Sequence, residues 1–375
     1  WEKGEFKQTG LWVNQDTSGR ITIHQKEFID NIKEIPIAYE RRKQRNEKLT
    51  DSEMTHLRGA LGEIQWVATQ TLPRYQAQCS IFQSCGPTAT VETLFGINKL
   101  IRQIKLDPNY KLTFEPFTGK GVVVGWSDAA WANRPDGLST GGYVIGIAPE
   151  DILEGKRTPV GWISHRSGKL QRVARSSLAA EVQALTVAED ELFMVRMMWA
   201  ELNGFVSDVV SGTASSGREL KPMIEGVREV RSCLCVDAKS IYDCLAKQVQ
   251  MQSLAEKRTA LELMAFERCI EETGLIVRWC HSEANLSDSL TKASAYGPIE
   301  LYMRTGCWVL VHDEEQLSAK KRKERGLERF EMNKRDFAGL IREAFQNADI
   351  LLPVNGDDEE DSRDQVCSEP PNQDS

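Results

Sequence analysis

The chain has 375 residues, and its 47 Lys and Arg against 55 Asp and Glu give a formal net charge of −8. With 41% hydrophobic and 27% charged residues the composition is that of a globular protein, and the length suffices for two or three domains. No stretch approaches the roughly 18–20 uninterrupted apolar residues of a membrane helix, so we expect no membrane partner.

The nine cysteines are scattered along the chain at irregular spacing. An odd number without a repeated spacing argues against a disulfide framework. Reduced cysteines are typical of intracellular proteins. The sequence therefore predicts an intracellular location.

The predicted elements begin with a β-hairpin. Apolar residues alternate at Leu11 and Val13 and again at Ile21 and Ile23, which predicts two paired strands within residues 1–30.

Residues 31–115 are predicted to form a small, mostly helical subdomain. Thr50 and Glu53 have the spacing of a capping box at a helix start. Apolar residues then recur at helical intervals up to Pro73, and a further amphipathic stretch covers residues 91–104.

The pattern changes at residue 116 to an alternation of strands and helices. The predicted strands are 122–126, 142–147, 160–163, 233–236 and 275–280, and the predicted helices are 178–202, 239–247, 256–273 and a short one after Asn285. With the adjacent helices 239–247 and 256–273 taken as one, the order βββαβαβα predicts an α/β domain with a mixed sheet over residues 116–297. The Ser/Gly-rich segment 204–231 predicts a flexible insertion.

Charge dominates the remainder of the chain. Residues 298–355 are predicted to form a charged helical extension. Residues 356–375 contain eight acidic side chains against the basic Arg363 and have no apolar pattern. We expect them to form a disordered acidic tail.

Four carboxylates stand where strands or helices of the α/β domain begin or end: Asp128, Glu181, Asp237 and Asp288. Ligand sites in open α/β sheets form outside the carboxyl ends of the strands. Converging acids repel one another, and hard divalent cations with oxygen ligands, Mg²⁺ or Mn²⁺, relieve that repulsion. On spacing alone, the alternative that these are ordinary loop and helix-cap acids stays open.

Five short motifs follow one another along the chain, and together they resemble the motif series of a known family. They are S-D-A-A-W-A from Ser127, S-T-G-G-Y-V from Ser139, G-W-I-S from Gly161, S-S-L-A-A-E from Ser176 and S-D-S-L-T-K from Ser287. This series resembles the ribonuclease H domain of copia-type (pseudoviral) retrotransposon Pol polyproteins. Upstream, residues 10–29 resemble the end of the reverse-transcriptase palm, and residues 57–69 resemble the thumb/connection segment of the same polyproteins. We therefore interpret residues 1–30 as a palm remnant and residues 31–115 as a thumb/connection-like region.

The resemblance implies a ribonuclease H-like fold, a mixed five-stranded sheet with flanking helices, carrying a two-metal centre. Asp128, Glu181, Asp237 and Asp288 match the family's catalytic and metal-binding acids, which implies two Mg²⁺ ions, with Mn²⁺ as an alternative. His281 matches, less closely, a histidine that helps product release in other ribonucleases H.

This sequence departs from the family pattern at three positions. Ala130 replaces the second acid of its motif and Ala179 replaces the first acid of its motif, and the acid retained in each motif is the one expected to bind metal. Ala238 replaces an Asn that follows Asp237 in the family. Candidate contacts to the substrate are Ser176, Ser177, Lys239, Arg258 and Asn285.

The implied function is that of an RNA–DNA hybrid endonuclease, the ribonuclease H module of a retrotransposon reverse transcriptase. Its partners would be the hybrid and the rest of the Pol polyprotein, in a cytoplasmic virus-like particle or the nucleus. The start at Trp1 suggests a piece of a longer product, and without a Tyr/Phe-x-Asp-Asp motif in residues 1–30 we expect no polymerase activity. The alternative is an inactive or domesticated fragment that acts as a nucleic-acid-binding or interaction module.

Overall fold

The computed structural model describes residues 4–205, 220–246, 256–280, 282–292 and 297–310. The candidate His281, residues 206–219 of the predicted insertion and residues 311–375, with most of the predicted extension and the acidic tail, lie outside the described residues. All described residues belong to one unit of the chain, Trp1–Glu331.

A small antiparallel sheet is formed in the order β1-β2-β3-β4 by β1 (Glu5–Gln8), β2 (Leu11–Gln15), β3 (Ile21–His24) and β4 (Lys111–Phe114). The predicted hairpin is present as β2 and β3, where Trp12 stands opposite His24. Its turn is held by Asp16, whose Oδ1 accepts hydrogen bonds from the backbone N–H groups of Ser18 and Arg20. β4 was not predicted, because its pairing partner β3 lies far away in the sequence.

Four helices connect β3 to β4: α1 (Lys26–Asn31), α2 (Asp51–Gln70), α3 (Gln76–Ser84) and α4 (Val91–Leu106). The predicted capping box is present, since Thr50 Oγ1 accepts from the Glu53 N–H at 3.3 Å and the Thr50 N–H donates to Glu53 Oε2 at 2.8 Å. This satisfies backbone donors that the first turn of α2 would otherwise leave without partners. The apolar faces of α2 and α4 are buried at Leu57, Ile64, Leu94 and Ile101.

The central sheet has five strands in the order β10-β9-β5-β6-β8. They are β5 (Gly121–Ala130), β6 (Thr140–Pro149), β8 (Gly161–Lys169), β9 (Ser232–Val236) and β10 (Ile276–Trp279). β5, β6 and β8 pair antiparallel, whereas β9 and β10 run parallel to β5. The predicted fold class, α/β with a mixed five-stranded sheet and flanking helices, is thereby confirmed.

The long helix α5 (Ser177–Leu202) covers one face of this sheet. Its buried side chains Leu185 and Leu192 pack with Ile145 of β6 and Leu234 of β9. Two further helices, α7 (Lys239–Ala246) and α8 (Lys257–Thr273), complete the layer, and Leu263 joins the same core. Apolar burial against α5 therefore anchors the sheet that carries the site.

Two segments differ from the sequence-based expectation. Part of the predicted insertion forms α6 (Leu220–Glu229), because Val227 and Val230 are buried and their carbonyl oxygens accept hydrogen bonds from the Arg196 guanidinium. After α9 (Gly297–Thr305), the chain forms a short strand, β11 (Cys307–Trp308), which pairs with β7 (Thr158–Pro159).

The segment with α9 and β11 belongs to the folded body. Trp308 is fully buried, and its Nε1 donates to the Ala284 carbonyl at 3.3 Å. The Tyr302 hydroxyl donates to the Val160 carbonyl at 2.7 Å. The packed body therefore extends past residue 297, while the division of the whole chain into domains stays a prediction.

A partly buried histidine of the edge strand β8, His165, contacts the helical region. His165 Nδ1 accepts from Trp162 Nε1 at 2.8 Å, and its Nε2 lies 3.0 Å from the Ala68 carbonyl of α2. Burial lowers the pKa of His165 to about 4, so the ring is neutral and donates from Nε2.

Across the part of the chain that the structure describes, no helix has the length and apolarity to cross a membrane.

Candidate metal centre

Three carboxylates meet at one end of the central sheet. Asp128 lies near the end of β5, Asp237 directly follows the parallel neighbour β9, and Glu181 lies in the second turn of α5. One carboxylate oxygen from each residue lies within 4.8 Å of those of the other two. Because β5 and β9 run parallel, their carboxyl ends share one edge of the sheet, which explains the meeting of Asp128 and Asp237.

Small side chains allow α5 to approach β5 at this end. Ala129 of the strand packs with Ala180 and Ala184 of the helix, and Ala179 is buried in the same cluster. The Ala129 N–H donates a hydrogen bond to the Glu181 carboxylate. The alanine at 179, a departure from the family pattern, thus fills a packing position rather than one that faces the carboxylates.

Asp288 lies beside this group but outside it. It is part of the short 3₁₀ turn Leu286–Leu290, and its Oδ1 forms an ion pair with Lys292 Nζ. Gly142 of β6 permits this turn to lie close to the sheet, since a Cβ at that position would come within 2.8 Å of Leu290 Cβ. The structure therefore brings three of the four predicted acids together and places the fourth next to them.

Burial and mutual repulsion dominate the electrostatics of the centre. Burial first, and then the Asp237 charge, raise the pKa of Asp128. Burial, followed by the charges of Asp128 and Asp237, raises the pKa of Glu181. Burial also raises the pKa of Asp237, against the opposing effect of Lys292. Three carboxyls this close stay ionised together only with strong positive charge among them.

Two residues that sequence reasoning missed supply part of that compensation. Thr291 Oγ1 donates a hydrogen bond to Asp128 Oδ2, and Lys292 Nζ lies 3.8 Å from the same oxygen. Burial alone would lower the pKa of Lys292, but the charges of Asp128 and Asp288 outweigh it and raise that pKa. The signal was present in the sequence, because Lys292 follows Asp288 by four residues, the spacing at which helical side chains meet.

The donor set fits a hard divalent cation. Asp128, Glu181 and Asp237 offer carboxylate oxygens only, which suits Mg²⁺ or Mn²⁺ rather than a softer ion. Burial and mutual repulsion disfavour the ionised form of these carboxylates, so a bound cation would stabilise them.

Asn285 is fully buried, and its amide is directed at protein atoms. Its Nδ2 donates to the Ser127 carbonyl at 2.9 Å, and its Oδ1 accepts from the Ser287 N–H at 3.1 Å and from Ser287 Oγ at 2.6 Å. A hydrogen bond from Asn285 also lowers the pKa of Asp237. These contacts tie the 3₁₀ turn that carries Asp288 to the strand that carries Asp128.

The other predicted substrate contacts lie at the starts of helices near the centre. Ser176 caps α5, where its Oγ accepts from the Ala179 N–H at 3.1 Å, and Ser177 beside it is exposed. Lys239 begins α7 with its Nζ 5.0 Å from the centre of the Trp279 ring. Arg258 is exposed in the first turn of α8. The roles of these residues in substrate binding stay predictions.

No family model and no curated protein matches the chain. Solved structures with a similar fold include RNase H1 from the halophilic archaeon Halobacterium salinarum NRC-1, at 13% identity and a TM-score of 0.27, over 45% of this chain and 92% of that one. A second is the N-terminal RNase H domain of a Mycobacterium tuberculosis protein, solved as a fusion with maltose-binding protein, at 12% identity and a TM-score of 0.27, over 48% and 98%. A third is the foamy viral protease–reverse transcriptase in complex with an RNA/DNA hybrid, at 10% identity and a TM-score of 0.26, over 53% and 25%.

Proposed function

We propose that this chain is a metal-dependent nuclease of the ribonuclease H type, which hydrolyses the RNA strand of RNA–DNA hybrids. The observation that carries the proposal is the convergence of Asp128, Glu181 and Asp237 within 4.8 Å at the carboxyl end of the central sheet. The order of the sequence motifs supports the finer proposal that it is the ribonuclease H module of a copia-type retrotransposon reverse transcriptase.

Asp128, Glu181 and Asp237 would hold the divalent cations, with Asp288 beside them. When bound, two such ions supply Lewis-acid stabilisation of the phosphoryl oxygens and lower the pKa of a water molecule. Thr291 holds the Asp128 carboxylate in place by its hydrogen bond. Asn285 holds the backbone at Ser127, next to Asp128, and thereby restrains the carboxylate that would hold a cation.

One observation favours a second candidate, an inactive fragment that binds nucleic acid. The Lys292 ammonium contacts both Asp128 and Asp288, so part of the acidic charge is neutralised by the protein itself. In that case the full chain would bind a hybrid but show no cleavage that depends on Mg²⁺ or Mn²⁺.

The test measures cleavage of a hybrid with a labelled RNA strand by the full chain, with Mg²⁺, with Mn²⁺ and with chelator. Asp128→Asn is expected to reduce cleavage by more than about 100-fold. Loss of a residue that only supports a metal ligand costs about 10–100-fold, so a larger loss indicates that the ligand itself has been removed. Hybrid binding should survive, because the substitution removes a negative charge. Asp151→Asn, an exposed carboxylate at the other end of the sheet, is the matched control and should cleave normally.

Two outcomes would reject the proposal. Full cleavage by the Asp128→Asn variant would show that other residues carry the chemistry. Binding without cleavage by the unmodified chain, in either metal, would favour the binding module instead.

A further inference from the structure

A polar cleft lies between the helical region and the edge strand of the central sheet. Its cavity of about 530 Å³ is bounded on one side by α2 and α3, and on the other by β8 and the loop that follows β5. A neighbouring cavity of about 470 Å³ shares Gln83, Arg134 and Lys169 with it. The two form one continuous depression along this edge.

Positive charge dominates the lining. Arg134, Arg166 and Lys169 contribute to the larger cavity, and none of the residues that line it is acidic. Arg166 and Lys169 are exposed at its rim, whereas Arg134 is buried and donates to the Ser80 carbonyl at 2.6 Å. Asp136 lines the neighbouring cavity, and its Oδ2 lies 3.9 Å from Lys169 Nζ, so an anion at Lys169 would share the ammonium with this exposed carboxylate.

Buried polar atoms in the cleft lack partners. Gln76 is 1% exposed and Ser167 is 8% exposed, and neither Gln76 Oε1 nor Ser167 Oγ has a hydrogen-bond partner among the described residues. Arg134 Nε is also buried without a hydrogen-bond partner among the described residues. An unsatisfied buried polar group costs about 1–3 kcal/mol. Ser167 Oγ and Arg134 Nε are donors, whose hydrogen bonds an anionic ligand would complete, whereas Gln76 Oε1 is an acceptor and would need a donor from elsewhere.

The cleft is connected to the metal centre by strand register and by side chains. Ser167 pairs with Gly142, and Gly142 pairs with Asp128, so two strand spacings, roughly 10 Å, separate the backbones of Ser167 and Asp128. Asn133, the neighbour of Arg134, donates from Nδ2 to the carbonyl of Thr291, whose hydroxyl binds Asp128. With a rise of about 3.4 Å per nucleotide, a strand reacting at Asp128 would have a phosphate about three nucleotides away near this cleft.

We propose that the cleft between α2, α3 and β8 binds a backbone phosphodiester of the nucleic acid that occupies the metal centre, through Arg166, Lys169 and Ser167. This inference rests on the proposed function, because it assigns the same substrate to a second contact point. Phosphate contacts of this kind fix the register of a substrate without reading its sequence. The helical region would thereby take part in positioning the hybrid.

The test measures binding of a short RNA–DNA hybrid to the full chain by fluorescence anisotropy, in chelator, over a range of KCl concentrations. Arg166→Gln combined with Lys169→Gln should weaken binding and reduce the slope of log affinity against log salt by about 1 per side chain. The matched control, Lys120→Gln with Lys156→Gln, removes two exposed charges at the opposite end of the sheet and should leave the slope unchanged.

Ser167→Ala separates a ligand contact from a structural role. Because Ser167 Oγ has no partner in the described fold, its removal should leave the melting temperature unchanged or raise it, while hybrid binding weakens. A lower melting temperature with unchanged binding would overturn the assignment.

Inorganic phosphate distinguishes a polymer contact from a small-anion site. Calorimetry should show no binding of phosphate that depends on Arg166 and Lys169. The proposal would be overturned if phosphate binding depended on Arg166 and Lys169 while their substitution left hybrid affinity unchanged. Equal salt slopes for the two double variants would overturn it as well. Since the readout is binding, a chain that fails to cleave but shows the slope difference would refute the nuclease function and leave the cleft assignment standing.

Discussion

Lys292 Nζ lies 3.8 Å from Asp128 Oδ2 and also forms an ion pair with Asp288. The lysine therefore places a positive charge beside the carboxylates that are proposed to bind a cation. Its ammonium and a divalent cation would compete for the same oxygen of Asp128.

Removing this competitor should tighten metal binding. Lys292→Met is expected to lower the Kd for Mg²⁺ by about tenfold or more, because a charge-assisted contact of about 1.5–3 kcal/mol no longer has to be broken. In chelator, the same variant should melt at a lower temperature than the unmodified chain, since Asp128 loses its positively charged partner. Calorimetric titration with Mg²⁺ measures the first effect, and Lys292→Arg, which keeps the charge, is the control. An unchanged or higher Kd would show that the lysine does not compete.

The effect of Mg²⁺ on stability should grow with pH. The pKa of Asp128 is raised from 3.8 to about 7 and that of Glu181 from 4.5 to about 9, with burial the first cause of both shifts. A raised folded-state pKa stabilises the protein fully below the unfolded value, and this contribution is lost as pH rises through the folded value. Between about pH 4 and pH 9 the metal-free chain thus loses stability at this site.

Thermal melts with Mg²⁺ and with chelator at several pH values check this expectation. The increase in Tm caused by Mg²⁺ should be larger at the alkaline end of that window than at the acidic end. Glu181→Gln, which cannot ionise, should flatten the dependence. An increase in Tm that is the same at all pH values would contradict the raised pKa values.

Asn285→Ala should act on stability rather than on substrate affinity. The change removes hydrogen bonds to the Ser127 carbonyl and to Ser287, and it leaves buried partners unsatisfied. We expect the free energy of unfolding in urea to fall by about 2–4 kcal/mol. Asn203→Ala, whose amide bonds to the Trp199 carbonyl at an exposed position, should cost far less. An unchanged stability with weaker hybrid binding would instead support the sequence-based prediction of a substrate contact.

Trp308→Ala should destabilise the central domain although the residue lies beyond the predicted end of that domain. Its side chain is fully buried, and its truncation should cost about 3–5 kcal/mol. Trp131→Ala is the comparison, because that residue is 51% exposed. Chemical unfolding measures both, and similar small losses for the two variants would show that the segment after residue 297 is dispensable.

Local patterns in the sequence were sufficient for most elements of the fold. The predicted strands 122–126, 142–147 and 160–163 correspond to β5, β6 and β8, and the predicted helix 178–202 corresponds to α5. The Thr50 capping box is present as predicted, because both of its hydrogen bonds lie within one turn of the chain. These features depend on neighbouring residues and on period, which a single sequence displays directly.

Those local patterns do not predict contacts between distant parts of the chain. The sequence placed Asp128, Asp237 and Glu181 at element ends, and their meeting follows from the parallel pairing of β5 with β9. The hydrogen bond from Thr291 to Asp128 and the polar cleft at β8 join residues with no shared periodicity. Such contacts depend on how whole elements pack, so they appear only in three dimensions.

The pairing of β3 with β4 has a consequence for the continuity of the chain. Ile23 and Leu112 are partners across a sheet, although the whole helical region lies between them in sequence. A backbone cut within residues 25–110 would leave one paired strand on each fragment, and α2 and α3 would still face β8. The strand pairing should therefore hold the two pieces together after such a cut.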